Sequence, residues 1–199
     1  EQDGTVGGYH SSTLLFVFAL RALGYERNHP DIVRALAGLE QNGIADVSTS
    51  FTHQQTCNGH VWNTALACQA ISAESGRNDD PAICAAIRFL IPKQHEKSGG
   101  WGFSSNNTSH PDNDDTVACL DVIAPFHRAH DDPWKKGVSY LIGMQNKDGG
   151  WSAFDRDHGK TWIEKLPAND MKRAVCDPST ADVTGRVVDF FCRHHVLHP

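Results

Sequence analysis

Gln94-His95-Glu96-Lys97-Ser98-Gly99-Gly100-Trp101 returns about fifty residues later as Gln145-Asn146-Lys147-Asp148-Gly149-Gly150-Trp151. A degenerate copy opens the chain as Gln2-Asp3-Gly4-Thr5-Val6, with Val6 in the place of tryptophan. In each copy the glutamine is expected to close a helix and the glycines to make the turn. The indole then folds back against a helix end, where its N–H and the Gln amide find partners. A unit of this kind staples one helical hairpin to the next. Repetition at this period predicts an all-α chain of stacked helix pairs, as a solenoid or a closed toroid.

The rest of the pattern agrees. Apolar residues spaced by three and four predict helices near 11–24, 29–41, 61–75, 80–92, 114–129, 133–145 and 181–196. Gly24, Gly43 and Gly76 fall where helices should end, and Pro30, Pro81 and Pro133 just inside their starts. Short connections favour antiparallel neighbours. No strand pattern of useful length is present, and 44–60, 94–113 and 146–180 are expected to be irregular.

The candidate chemistry lies in His110-Pro111-Asp112-Asn113-Asp114-Asp115-Thr116. Three carboxylates this close cannot all ionise cheaply, so at least one pKa must rise. A carboxylic acid that keeps its proton near neutrality is poised to protonate a very weak base such as an alkene. The same residues also read as a helix start before the apolar run Val117-Ala118-Cys119-Leu120. Asp112 would cap that helix, and Asp114 and Asp115 would sit in its first turn, favoured by the dipole.

Composition narrows the classes. The 199 residues suit one domain with a real core. A net charge of −6 leaves no electrostatic footprint for nucleic acid. The most apolar stretch, Leu14 to Leu20, stops at Arg21 and is too short to span a bilayer. The opening Glu1-Gln2-Asp3-Gly4 has neither the basic start nor the apolar core of a secretory signal. The six cysteines (Cys57, Cys68, Cys84, Cys119, Cys176, Cys192) show no CxxC pair and are expected to be buried free thiols of a reducing compartment. Among twelve histidines, His194, His195 and His198 cluster, but no metal-ligand spacing supports a zinc site.

Several segments, in order, carry a family resemblance. Lys136 to Trp151 resembles the QW repeat of triterpene cyclases, and Asp112-Asn113-Asp114-Asp115 resembles the DxDD acid motif of class II cyclases, in the squalene–hopene cyclase branch. Val61-Trp62-Asn63-Thr64-Ala65-Leu66 is similar to that family's VWDTAL segment, and Gly99 to Phe103 to the stretch before its acid motif. Gly149 to Asp155 is similar to its GGWGAFD, and Asp177 to Thr184 to its DPPxxDVT. The likeness runs nearly end to end but covers only the middle of such enzymes.

The resemblance implies that residues 1–199 form part of an α/α barrel that cyclises squalene, or a related polyprene, to hopene-type pentacycles. Asp114 matches the proton donor, with Asp112 and Asp115 tuning it. Trp62, Phe103 and Phe154 match aromatic positions that stabilise carbocations, and Asp182 an acidic position of the cavity. No metal or cofactor is implied, because initiation is by proton. An oily substrate implies a peripheral, monotopic place on the cytoplasmic side of a membrane. A cavity left open by a partial barrel implies flanking sequence, a second copy of the chain, or a non-catalytic scaffold for a lipid or protein.

The chain also departs from the family. Arg186 stands where a histidine pairs with the acid in well-known members. A guanidinium can stabilise the Asp114 carboxylate but cannot pass on a proton. Asn63 replaces an aspartate, Val6 breaks one QW unit, and His110 takes a place often held by an aromatic.

Overall fold

The computed structural model of the chain describes residues 3–46, 51–105, 110–157 and 177–196. Its helices are α1 (His10–Ala22), α2 (Pro30–Gln41), α3 (His60–Ser75), α4 (Pro81–Leu90), α5 (Asn113–Ile123), α6 (Asp131–Gly143) and α7 (Ala181–Arg193). The seven predicted helices are thus the seven found among the described residues. Five C-terminal ends fall short of expectation, and at two of them the reason is that proline cannot donate to the helical ladder. Pro92 turns the end of α4 into a 3₁₀ turn at Ile91–Lys93, and Pro125 does the same after α5 at Ala124–Phe126.

One expectation is corrected. The segment from 44 onward is not wholly irregular. Strands β1 (Gly43–Asp46) and β2 (Phe51–Gln54) pair antiparallel, Gly43 opposite Gln54 and Asp46 opposite Phe51. β2 is exposed along its whole length, so it shows no apolar alternation to find in the sequence.

The chain divides into two units. The smaller comprises residues up to 60 with 103–105. There α1 packs on α2 around Val17, Ile32 and Ala35. The Asn58 amide donates to the Gly8 carbonyl (3.0 Å) and His10 to Thr56 (2.9 Å), tying the strand pair's exit to the start of α1.

The larger unit holds the remaining described residues and the main core. Helix α5 runs through its middle, packed against α4, α6 and α7. Its buried residues span nearly its full circumference, from Asn113 and Asp115 to Val122 and Ile123. A helix apolar all round belongs in an interior. Only Asp114 and Asp121, seven residues apart and so on one face, stay partly open. Trp101, Leu141 and Phe190 fill the space around it and are fully buried.

The glycine turns behave as the repeat predicts. Trp101 Nε1 donates to the Leu90 carbonyl (2.8 Å), and Trp151 Nε1 to that of Leu141 (2.7 Å), each indole folding back onto the helix it follows. Gln94 donates to Gly99 (2.7 Å) and Pro133 (2.8 Å), Gln145 to Gly149 (2.9 Å). Gly99 and Gly149 have φ of +83° and +88°, a region that disfavours side chains, and a Cβ at Gly99 would also strike the Lys136 carbonyl at 2.6 Å.

A finer repeat lies beneath this one. The Trp101 amide donates to the Thr116 hydroxyl (2.9 Å), the Trp151 amide to Thr184 (2.9 Å), and the Val6 amide to Thr13 (2.9 Å). Each threonine stands four residues after a helix N-cap, namely Asp112, Thr180 and Tyr9. Each cap residue returns its own amide to the carbonyl of Trp101, Trp151 or Val6. The broken copy at Val6 therefore keeps its backbone bonds and loses only the indole. Gln2 lies outside the described residues.

Cys68 and Cys119 are buried free thiols, as expected. Cys57 and Cys84 are half-buried and Cys192 is exposed, because these three sit at a loop and on outward helix faces. Cys176 and His198 lie outside the described residues. Among the described residues no helix is long and apolar enough to cross a membrane.

Candidate active site

The acid motif sits at the N-terminus of α5, where Asp112 caps the helix and burial raises the pKa of all three acids. Asp112 is the N-cap, its carboxylate accepting the Asp115 amide at 2.7 Å. The same position buries it: Asp112 is 3% exposed and Asp115 2%. Their two carboxyls share a hydrogen bond. Burial, then that bond and the adjacent charge, pushes Asp112 up to about 10, and burial raises Asp115 to about 6. Near neutrality the buried pair therefore favours holding a proton between its two carboxyls.

Asp114 differs from both. It is half-buried and faces a groove of about 260 Å³ with Leu66, Val117 and Arg186 on its walls. Burial raises its pKa, Arg186 pulls it down, and Asp182 pushes it up. The carboxyl of Asp182 is itself held below the ordinary range, first by the Thr180 hydroxyl and then by backbone amides. Asp114 and Asp182 occupy equal places in the finer repeat, each two residues past a cap.

Arg186 joins the acid to an aromatic. Its Nε lies 3.7 Å from Asp114 Oδ1, and its guanidinium carbon stands 5.2 Å over the Trp62 ring. Trp62 is half-buried on α3. The larger unit thus brings together Asp112, Asp114, Asp115, Asp182, Arg186 and Trp62. Phe154, in the same unit, is 54% exposed on the loop after Trp151. Phe103 belongs to the smaller unit, stacked on Tyr9 with ring centres 5.8 Å apart, and Gly59 lies against its ring.

The roles of three residues at the site escape sequence reasoning. Tyr140 donates its hydroxyl to the Pro111 carbonyl (3.0 Å) and fixes the entry to α5. Burial, then Asp112 and Asp177, pushes that phenol well above its usual range, so it stays a donor. Asn113 and Asp177 grip the loop of Phe154. Tyr140 is on α6, Asn113 opens α5 and Asp177 precedes α7, and polar contacts between such distant positions leave no periodic signal. Thr116 was findable, because threonine recurs four residues into the helix after each glycine turn.

A helical scaffold stapled by glycine–tryptophan turns, with a proton-holding carboxyl cluster at one helix start, is the architecture of a class II triterpene cyclase. The sequence matches the squalene-hopene cyclase C-terminal domain over residues 59–198, and the chain belongs to that family. It is 38% identical to sporulenol synthase of Bacillus subtilis (strain 168), over 96% of this chain and 31% of that protein. It is 34% identical to a squalene hopane cyclase of Aspergillus fumigatus, over 86% of this chain and 25% of that protein. With the squalene–hopene cyclase of Zymomonas mobilis the identity is 29%, over 96% and 32%. The chain spans about a third or less of the length of these curated relatives.

Proposed function

We propose that this chain is the acid-bearing part of a class II cyclase that turns squalene, or a related polyprene, into hopene-type pentacycles by proton-initiated cyclisation. Residues 1–199 would be one arc of an α/α toroid. The observation that carries the proposal is Asp114, a half-buried carboxyl with a raised pKa, aimed into a groove and backed by the buried Asp112–Asp115 pair.

The chemistry follows from that arrangement. The O–H bond of the Asp114 carboxyl breaks as a C–H bond forms at the terminal alkene, leaving a tertiary cation on the substrate and a carboxylate on Asp114. The proton held by the Asp112–Asp115 pair lowers the negative charge behind that carboxylate, and Arg186 offsets what develops. The cation then migrates along aromatic faces, each worth about 2 kcal/mol or more when desolvated. Trp62, Phe103 and Phe154 would supply them, and Asp182 would set cavity polarity. Loss of a proton or capture of water ends the cascade. The groove is small for a polyprene and supports completion of the cavity by flanking sequence or a second copy. An oily substrate supports work at the cytoplasmic face of a membrane.

Squalene turnover in detergent, followed by gas chromatography–mass spectrometry, tests this. Pentacyclic product is expected, and Asp114→Asn should lower it at least about 100-fold. No product from folded protein, alone or with its flanking sequence, would reject catalysis. It would favour a scaffold that binds a lipid or a protein, a role that Arg186, a group unable to relay protons, also suits.

A further inference from the structure

The acid motif carries one residue that is not an acid. Asn113 is fully buried at the first helical position of α5. Its backbone amide donates to the Ala153 carbonyl (2.9 Å), and its Nδ2 to the Ser152 carbonyl (2.7 Å). Two parallel bonds thus run from the acid helix to the loop that bears Phe154. Ser152 is also fully buried, so water cannot replace the lost partner of its carbonyl.

The opposite side of that loop is held as firmly. The Asp177 carboxylate accepts three successive amides, from Ala153 (3.1 Å), Phe154 and Asp155 (2.8 Å). Asn146 accepts the Asp157 amide at 2.6 Å and donates to Ser179 at 2.8 Å. A segment with an exposed aromatic at its tip is therefore anchored from both ends and from beneath.

We infer that Asn113 is a positioning residue that fixes the Phe154 loop to the acid helix and so sets the placement of this aromatic relative to Asp114. Asp114 is the very next residue, so one latch serves both the group that starts the cation and a face that receives it. The consequence for cation placement rests on the proposed function. The latch itself does not.

Two variants test it: Asn113→Leu, similar in volume but unable to donate, and Asn113→Ser, milder and too short to reach Ser152. In hydrogen–deuterium exchange, the peptide covering 152–157 should exchange about tenfold faster or more in either variant, while α6 keeps its protection. Unchanged exchange in a folded variant overturns the latch, whatever the enzyme does. The second arm compares binding of squalene with that of a squalene analogue carrying a tertiary amine, cationic at neutral pH. Asn113→Ser should weaken the cationic analogue about fivefold more than the hydrocarbon. Equal loss for both ligands reduces Asn113 to a structural role and overturns the placement. Failure of the unaltered chain, alone and with its flanking sequence, to bind either polyprene counts against the proposed function and leaves the exchange result to decide the latch.

Discussion

Arg186 Nε stands 3.7 Å from Asp114 Oδ1, and that oxygen, shielded from solvent, has no hydrogen-bond partner among the described residues. The pair attracts without bonding. The guanidinium draws the acid's pKa down, against the larger upward push of burial. Arg186→Met should therefore raise the Asp114 pKa further. In the proposed mechanism the protonated acid is the active form, so the alkaline limb of the pH–rate profile should move to higher pH. Carboxyl-carbon NMR titration gives the same shift without turnover.

The Asp112–Asp115 pair makes stability depend on pH with a definite sign. Asp112 titrates near 4 when unfolded and is pushed up to about 10 when folded, so the folded state binds its proton more tightly. Its contribution is complete below about pH 4 and is lost as pH rises toward 10. Urea unfolding should show a protein more stable at pH 5 than at pH 8.5. Asp112→Asn keeps the N-cap and leaves no proton to be taken up at this position on folding. It should flatten that slope and stabilise the protein at pH 8.5 by about 1 kcal/mol or more.

The threonine hydroxyls should carry more stability than their exposure suggests. Thr116→Val leaves the buried Trp101 amide without its 2.9 Å partner. Urea unfolding should register a loss of about 1–3 kcal/mol. Thr184→Val removes the corresponding bond at Trp151 and should cost a similar amount.

Two glycines of one helix should respond in opposite directions to alanine. A Cβ on Gly137 would come within 2.8 Å of Leu120 and 2.9 Å of Trp101. The buried indole cannot yield, since it is held to Leu90. Overpacking should outweigh the gain in helix propensity, destabilising by on the order of 1 kcal/mol in thermal unfolding. Gly143 meets nothing within 4 Å among the described residues. Alanine there should stabilise by about 0.5 kcal/mol.

The helices were legible because Gly24, Pro30, Gly76 and Pro81 punctuate strongly periodic runs. The ends of α4 and α5 were not, since the sequence pattern continued through Pro92 and Pro125 where hydrogen bonding could not. The pair β1–β2 rests on backbone bonds, which carry no side-chain code, and β2 is exposed throughout. The acid motif stood out by composition alone. What surrounds it did not: Tyr140 and Asp177 are 28 and 65 residues from Asp112, and only the fold places them beside it.

The three amide-to-threonine bonds also differ in how much chain each must close. They span 7 residues at Val6–Thr13, 15 at Trp101–Thr116 and 33 at Trp151–Thr184. Loop-closure entropy makes the last about 1 kcal/mol dearer than the first. Folding should thus proceed with the first two clasps shut early and the third fastened late. The acid motif should therefore acquire its helix before the segment bearing Phe154 and Asp182 is drawn in, so that α5 is formed when the last clasp closes.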